Sequence, residues 1–562
     1  MTRLVPSKLT AVAVAVSLIS LVVFLPALRN GFVSWDDGLN LVENPYFRGF
    51  GWPQLKWMWT NHLMEHYVPL TWMSFGLDYV LWKQHGFGYH LTNILLHSVN
   101  AGLFFGLALA LLKLSRPEHS DRNQQTSLIC GAAFAALFFA LHPLRVESVA
   151  WVTERRDVLS GCFYLLALLA YLRRFPSEPS RPVRREYYWW CLALFVASVL
   201  SKEIVVTLPI TLLILDVYPL RRLGGAPGRW FGSAARWVWI EKLPFFAVSL
   251  ADGSMTMYVA VKHHLTDSIQ TMGWIPRFAI TVYGMAFYLL KTIAPVHLSA
   301  LYPLTRYKTD TAAAPFLLSA GAVLAITLAA VALRRRFPGL LAVWAVYTAT
   351  LLPVGGVFHN GNQITADRYT YLSCLGWALL AGAAMAACWR TTFRSPAWRI
   401  LLSGFSVLLL VALGWQTRAQ VRVWHDSETL WRQVVAVEPS PLAFTNLGAA
   451  YLTEGDSLGA VDVYRRAVAM DPTYALAHNN LGGAFVDLRR FDDAIREFQI
   501  ALKLVPDLPT AYIGIGNALR LEGKLDEAIW NYRRALQISP DNPGARHNLE
   551  QTLALKQSRS QP

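Results

Sequence analysis

The chain has 562 residues, of which 54% are hydrophobic, 13% aromatic and only 15% charged, with a mean hydropathy of +0.33. That composition excludes a disordered chain and an ordinary soluble enzyme, and describes a protein that is mostly membrane. Lys and Arg exceed Asp and Glu by 51 to 36, an excess that the cytoplasmic loops of a multi-spanning protein generate without a nucleic-acid partner.

The first element, Leu9 to Leu28, is twenty uncharged residues preceded by Arg3 and Lys8. It matches one bilayer crossing and reads as an uncleaved anchor, because no small-x-small site closes it. Further apolar segments run at about 90–112, 127–141, 158–172, 187–201, 204–218, 277–295, 315–333, 338–355, 369–388 and 399–415, giving eleven expected spans. Segment 243–262 is long enough but carries Asp252 and Gly253 at its middle. With eleven spans and a cytoplasmic N-terminus, the membrane domain's non-spanning segments hold twenty-three Lys and Arg inside and eleven outside, which favours this orientation and makes 243–262 re-entrant or interfacial. The five cysteines, Cys130, Cys162, Cys191, Cys374 and Cys388, lie in or beside apolar runs and read as small buried hydrophobes.

Hydropathy collapses after Trp415, where prolines recur at Pro439, Pro472, Pro506 and Pro540 with intervals of 33, 34 and 34 residues. Small residues at tight helix contacts, large apolar ones at i and i+3/i+4, and a closing Pro describe the tetratricopeptide repeat. About three units fill 441–540, with capping helices expected near 418–438 and 543–556. The chain therefore divides into a membrane domain, 1–417, with an outer loop at 29–89, and a repeat domain, 418–562.

Chemistry-bearing residues concentrate on the side expected to be extracytoplasmic. Asp36 and Asp37 follow the first span by about eight residues; adjacent carboxylates repel, which raises at least one pKa and suits a general base. An isolated Asp pair is more often a turn or a cap. Six tryptophans of the 29–89 loop, Trp35 among them, suit either sugar stacking or interfacial anchoring, the second being the heavier reading. The stretch "HPLRVESVAWVTERRDVLS" packs His142, Arg145, Glu147, Glu154, Arg155, Arg156 and Asp157 beside two spans, where charges are costly unless paired or functional. Arg155 and Arg156 could hold a phosphate, with Glu147 or Asp157 fixing them. Lys202 and Glu203 are the only charges from Trp189 to Leu215, and the 355–371 loop offers His359, Asp367, Arg368, Tyr369 and Tyr371. His90, Asn93 and His97 share one helix face and read as hydrogen-bonded interior groups rather than metal ligands.

In this order the motifs "FVSWDDGLNLVENPYF", "YVPLTWMSFGLDY", "YHLTNILLH", "HPLRVESVAWVTERRDVLS", "LSKE" and "ADRYTYLSCLG", followed by C-terminal repeats, resemble the transmembrane and tetratricopeptide-repeat O-mannosyltransferases and their bacterial relatives. The resemblance implies an all-α fold: a polytopic GT-C-type bundle of about eleven spans followed by an α-solenoid. It implies inverting transfer of a hexose such as mannose from a polyprenyl-phosphate donor to a protein hydroxyl. Asp36 would be the base and Asp37 would orient base or acceptor. Arg155, Arg156, Lys202 and Arg368 would bind the donor phosphate, and Trp35, His90, His142, Glu147, Asp157 and Tyr369 would line the pocket. No cofactor is required by the motifs, two carboxylates leave a divalent cation open, and no metal ligand set is assigned. The repeats would recruit a polypeptide acceptor or a partner protein, and the expected location is a bacterial inner membrane with loop 29–89 and the repeats outside. The chain departs from the family pattern at Val68, where Arg is usual, at Arg145, where His is common, and at Glu154–Asp157, where the opening of the motif is altered. The competing reading is a membrane-anchored repeat scaffold without catalysis.

Overall fold

Long apolar runs with no internal charge leave the backbone one way to satisfy its own hydrogen bonds in lipid, the α-helix. The computed structural model describes residues 6–64, 66–115, 122–175, 182–224, 227–262, 273–304, 310–356, 363–391 and 395–560, and these are helical almost throughout. Two short strands, Tyr302–Pro303 and Gln363–Thr365, form an antiparallel pair. Two compact units are present, Met1–His425 and Asp426–Pro562. The division falls after His425 rather than near 417 because the Pro396–Val423 helix continues past Trp415.

Among the described residues of the first unit, four helical stretches are long and apolar enough to cross a membrane: Lys8–Arg29, Gly86–Leu114, Ala314–Ala332 and Ala397–Val423. The most apolar 18-residue window of Ala314–Ala332 is only 11% buried, an exposure that lipid tolerates and water does not. Two further pairs qualify together but bend by 56° and 57°: Asn123–Ala140 with Pro143–Ala150, and Asp367–Ser373 with Leu375–Arg390. Other expected spans fall on helices such as Arg155–Arg173, Glu186–Val199, Leu208–Val217, Trp274–Ile293 and Pro338–Leu351. Segment 243–262 is one unbroken helix, Leu243–Lys262. Asp252 and Gly253 do not interrupt it, so the bent path of a re-entrant loop is absent.

The bend after Ala140 matters most for the site, because it leaves irregular backbone where water is scarce. The Gly86–Leu114 helix compensates with a polar face. Asn93 Nδ2 donates to the carbonyls of Val149 (3.1 Å) and Trp151 (3.3 Å), and Asn100 Nδ2 donates to that of Val158 (2.8 Å). His97 bonds the Ala140 carbonyl through Nε2 (3.1 Å) and the Tyr371 hydroxyl through Nδ1 (2.9 Å). Asn93 and His97 of the face visible in sequence, joined by Asn100, thus stitch the broken connection to the central helix.

The second unit is three helix pairs. Pro441–Thr453 pairs with Ser457–Met470, Ala475–Asp487 with Phe491–Leu504, and Pro509–Glu522 with Leu525–Ile538. Ser427–Val437 and Pro543–Ser560 flank them. One contact repeats every 34 residues: Gly448 lies under the Tyr464 ring, Gly482 under Phe498 and Gly516 under Tyr532. A glycine on the first helix of each pair admits an aromatic ring from the second, which is why small residues recur there.

The Arg122–Ala140 and Leu375–Thr391 helices cross at Gly131 and Gly382. A methyl group on either would press into the other's backbone carbonyl, and also reach 2.8 Å from Ala386 Cβ or 2.7 Å from Ala135 Cβ. Gly404, by contrast, has nothing within 4 Å of an added Cβ. Gly131→Ala and Gly382→Ala are each expected to destabilise by about 1–3 kcal/mol through overpacking. Gly404→Ala is expected to be neutral or stabilising, by up to ~1 kcal/mol. Thermal unfolding of the three variants in one detergent checks the contrast.

Candidate active site

The chain leaves the Leu25–Arg29 turn through Asn30 and Gly31, and both are held. Asn30 Nδ2 donates to the Val421 carbonyl (3.1 Å), Gly31 N–H donates to the His425 carbonyl (2.8 Å), and His90 Nε2 meets the Gly31 carbonyl at 3.3 Å. His90 therefore braces the loop backbone, and no substrate group reaches a ring that is 1% exposed. Gly86 lets the loop pass closely, since a Cβ there would lie 3.3 Å from the Asn30 carbonyl.

The acidic pair then divides. Asp37 is 1% exposed; it accepts from Val33 N–H (3.0 Å), Thr153 N–H (3.0 Å) and the Thr153 hydroxyl (2.6 Å). Burial pushes its pKa up to about 6 despite these bonds from Thr153 and Val33. With its oxygens occupied, Asp37 is a positioning residue that ties the loop to Thr153, and the role of orienting an acceptor does not fit it. Asp36 is half-buried and makes no side-chain hydrogen bond or ion pair with any described residue. Burial raises its pKa, Arg156 and then Arg368 pull it back down, and Glu154 pushes it up again. A neighbouring pair in sequence is thus one fixed acid and one free acid.

The two arginines of the 155–156 pair also point apart, as adjacent helix residues must. Arg155 is wholly buried. Its Nε donates to Asn93, its Nη1 to Ser74 Oγ (2.6 Å), and its Nη2 to Asp78 Oδ2 (2.6 Å) and the Tyr89 carbonyl (2.8 Å). Four of its five N–H donors are engaged and the side chain is fully buried, which corrects the expected role of Arg155 as a phosphate contact. Arg156 uses only Nη2, to Glu154 Oε1 (2.7 Å), and its Nε is buried without a partner among the described residues. Arg368 binds Glu147 through its backbone N–H (2.8 Å) and Nη1 (2.5 Å), and approaches Glu154 Oε1 with Nε at 3.5 Å. Its Nη2 makes no bond to a described residue.

Lys202 lies between two carboxylates, 2.6 Å from Glu154 Oε2 and 2.8 Å from Asp157 Oδ1. Asp157 also accepts from Ser148 Oγ (2.9 Å). Lys202, Asp157 and Glu147 are therefore braces for the charged turn rather than free contacts to a ligand. Burial would raise the pKa of Glu154, but Arg156, Lys202 and Arg368 together hold it well below the usual carboxylate range. His142 leaves the expected pocket altogether: it is 1% exposed, meets the Thr292 carbonyl at 3.0 Å and accepts from Leu144 N–H at 3.3 Å, shaping the bend after Ala140. Aromatic rings complete the walls. Trp35 lies 6.4 Å from Trp151, and the Arg368 guanidinium sits over Trp151 (5.6 Å) and Tyr369 (5.0 Å).

The 29–89 loop is anchored rather than free. Its Pro69–Trp82 helix carries Asp78 to Arg155, and Thr71 Oγ1 donates to the Ser201 carbonyl (2.9 Å). Trp72 is 4% exposed while Trp52 is 77% exposed, so the loop tryptophans split between core and interface. Sequence reasoning missed His66 and Thr153. His66 Nδ1 lies 3.3 Å from Glu203 Oε1, which also accepts from Tyr67 N–H (3.1 Å). Burial opposes ionisation of Glu203, yet His66, the backbone and Arg156 hold its pKa down at about 2. At the departures from the family pattern, Val68 is a 2% exposed member of the core around Phe47, Trp72 and Val152, and Arg145 donates to the Thr370 carbonyl (2.5 Å) and hydroxyl (2.8 Å). His359 lies outside the described residues. Among the described residues no three His, Cys, Asp or Glu side chains converge as metal ligands.

A family model for the tetratricopeptide repeat matches residues 418–475 and 479–543. Human protein O-mannosyl-transferase TMTC1 is 26% identical over 499 residues, covering 80% of this chain and 54% of that protein. Mouse protein O-mannosyl-transferase TMTC4 is 24% identical over 511 residues, covering 82% and 67%. Protein O-mannosyl-transferase tmtc2 of Xenopus laevis is 33% identical over 162 residues, covering 28% and 17%. The chain spans about half the length of the human relative and less of the frog one. Its homologues are thus the TMTC protein O-mannosyl-transferases, and its own C-terminal region is built of tetratricopeptide repeats.

Proposed function

We propose that the chain is an integral-membrane glycosyltransferase that moves a hexose, mannose by analogy with its named relatives, from a polyprenyl-phosphate donor to a protein hydroxyl. The transfer is assigned to the extracytoplasmic side of a bacterial inner membrane, and the repeats recruit the acceptor polypeptide or a partner protein. One observation carries this reading. Of Asp36, Asp37, Glu147, Glu154, Asp157 and Glu203, only Asp36 has no partner among the described residues, and the cations acting most strongly on it, Arg156 and Arg368, keep free guanidinium donors.

That arrangement suits inverting transfer. Asp36 takes the proton of the acceptor hydroxyl as its oxygen attacks the anomeric carbon. The bond from that carbon to the lipid phosphate breaks, and the electron pair leaves on the phosphate oxygen. Arg156 and Arg368 offset the charge that grows there, an interaction stronger in the transition state than in the ground state. A divalent cation fits this donor set poorly, since the neighbouring carboxylates are already bonded to cations or N–H groups, and no step is assigned to one.

The deciding assay uses the full chain in proteoliposomes with polyprenyl-phosphate mannose and a co-expressed exported protein, read as a hexose mass increment. Asp36→Asn is expected to lower kcat by about 10²–10⁴-fold at unchanged thermal stability, whereas Asp37→Ala is expected to destabilise by about 2–3 kcal/mol. Full transfer by Asp36→Asn would remove the catalytic reading and favour the scaffold. The neighbouring arginines separate in the same manner. Arg155→Gln leaves Asp78 buried and unpaired, with an expected loss of about 3–5 kcal/mol; Arg156→Gln is expected to fold and to lose roughly 10²–10³-fold in kcat.

The acid limb of the pH profile has a defined sign. The base form of Asp36 is the active one, and burial raises its folded pKa above the ordinary value for an Asp carboxyl. The kcat/KM of the wild type is expected to fall as pH drops through an inflection above the ordinary Asp range, about 3.9. Residual activity of Asp36→Asn is expected to lack that inflection.

A further inference from the structure

Between the Leu208–Val217 and Leu243–Lys262 helices lies a segment that the catalytic reading does not use. Both of its ends are locked to one buried cluster. Arg222 Nη1 reaches Asp216 Oδ1 (2.9 Å), Glu241 Oε1 (2.5 Å) and the Tyr171 hydroxyl (2.8 Å). Lys242 Nζ reaches Asp216 Oδ2 (2.7 Å), Glu241 Oε1 (2.8 Å) and the same hydroxyl (2.8 Å). Above this lock the segment has its own small core of Leu223, Ala235 and Val238, against which Trp230 and Trp239 pack.

The exposed side chains that remain are of two kinds. Arg221, Arg229 and Arg236 are exposed, and no acid occurs from Val217 to Ile240. Phe231 is 82% exposed and Trp237 71% exposed; the Phe231 ring stacks on Trp239 with centroids 5.5 Å apart. The neighbouring helix adds Trp189 and Trp190, both exposed, beside a Tyr188 whose hydroxyl donates to the Glu241 carbonyl (2.9 Å). Water disfavours so much exposed aromatic surface, and an apolar membrane interior disfavours three arginines. Only the headgroup layer accepts both, and an anionic one complements the charge.

We infer that the described residues of this segment, 221–224 and 227–239, form a docking surface for anionic phospholipid headgroups, with Arg221, Arg229 and Arg236 contacting the phosphates and Phe231 and Trp237 seated at the acyl boundary. The Asp216–Arg222–Glu241–Lys242 lock holds the two ends of the segment. It is independent of sugar transfer, so its test needs no catalytic assay.

Native mass spectrometry of the full chain, released from micelles holding phosphatidylglycerol and phosphatidylcholine in equal amounts and with matched acyl chains, reads the preference directly. The wild type is expected to retain phosphatidylglycerol in excess. The R221Q/R229Q/R236Q variant is expected to lose that excess, up to about fivefold per arginine, while its thermal midpoint in neutral detergent stays unchanged because all three side chains are exposed. R334Q/R335Q/R336Q, which removes three exposed arginines elsewhere, is expected to keep it. An unchanged lipid ratio in the first variant, an equal loss in the second, or displacement of the lipid by inorganic phosphate alone would overturn the inference.

Discussion

The Asp37 carboxylate is the fastening on which the site depends. Its three hydrogen bonds, from Val33 and from both donors of Thr153, join the loop after the first helix to the turn that carries Glu154 and Arg156. A buried carboxylate gains from such N–H and O–H donors because they replace the water it has lost. Asp36 then needs no partner of its own, because its position is inherited from the residue that follows it. A loop whose both acids were free would wander. One whose both acids were bonded would have no base.

Charge matching around that fastening explains why so many ionisable groups can sit beside apolar helices. Glu154 is shared by Arg156, Lys202 and Arg368, Asp157 by Lys202 and Ser148, and Glu147 by the backbone and side chain of Arg368. Each shared contact lowers the cost of removing a charge from water, and the network as a whole holds its geometry better than separate pairs would. The consequence for chemistry is selective. Within this cluster Arg156 keeps a buried Nε without a partner among the described residues, and Arg156 and Arg368 are the two arginines whose fields pull the pKa of Asp36 down.

What the sequence made legible follows from what periodicity encodes. The helical character of the apolar runs, the polar stripe His90–Asn93–His97 and the 34-residue repeat were all readable, because each is a regular recurrence of residue type along one helix or between helices. That the ionisable groups of the charged turn are paired was also readable, since such residues beside apolar helices are costly and must be accounted for. Individual roles were not. Arg155 and Arg156 are chemically identical neighbours, and only the position of Asp78, 77 residues earlier, decides which becomes a strut. Asp36 and Asp37 separate only because Thr153 lies opposite one of them. His142 was expected in the pocket, but its partner is the Thr292 carbonyl, a backbone atom that no side-chain pattern announces.

The same reasoning makes sense of two of the positions where the chain departs from the pattern it resembles. Val68 packs among Leu41, Phe47, Trp72 and Val152, an apolar niche that favours a hydrocarbon side chain over a cation. His66, two residues earlier, pairs instead with Glu203 on another segment. Arg145, standing where a smaller imidazole is usual, spans to Thr370 and lies over the Phe139 and Tyr371 rings. It thereby couples the bend after Ala140 to the turn bearing Arg368. Positions 145 and 68 thus take opposite parts, one a buried guanidinium that reaches across to Thr370 and the other an apolar filler that brings no charge.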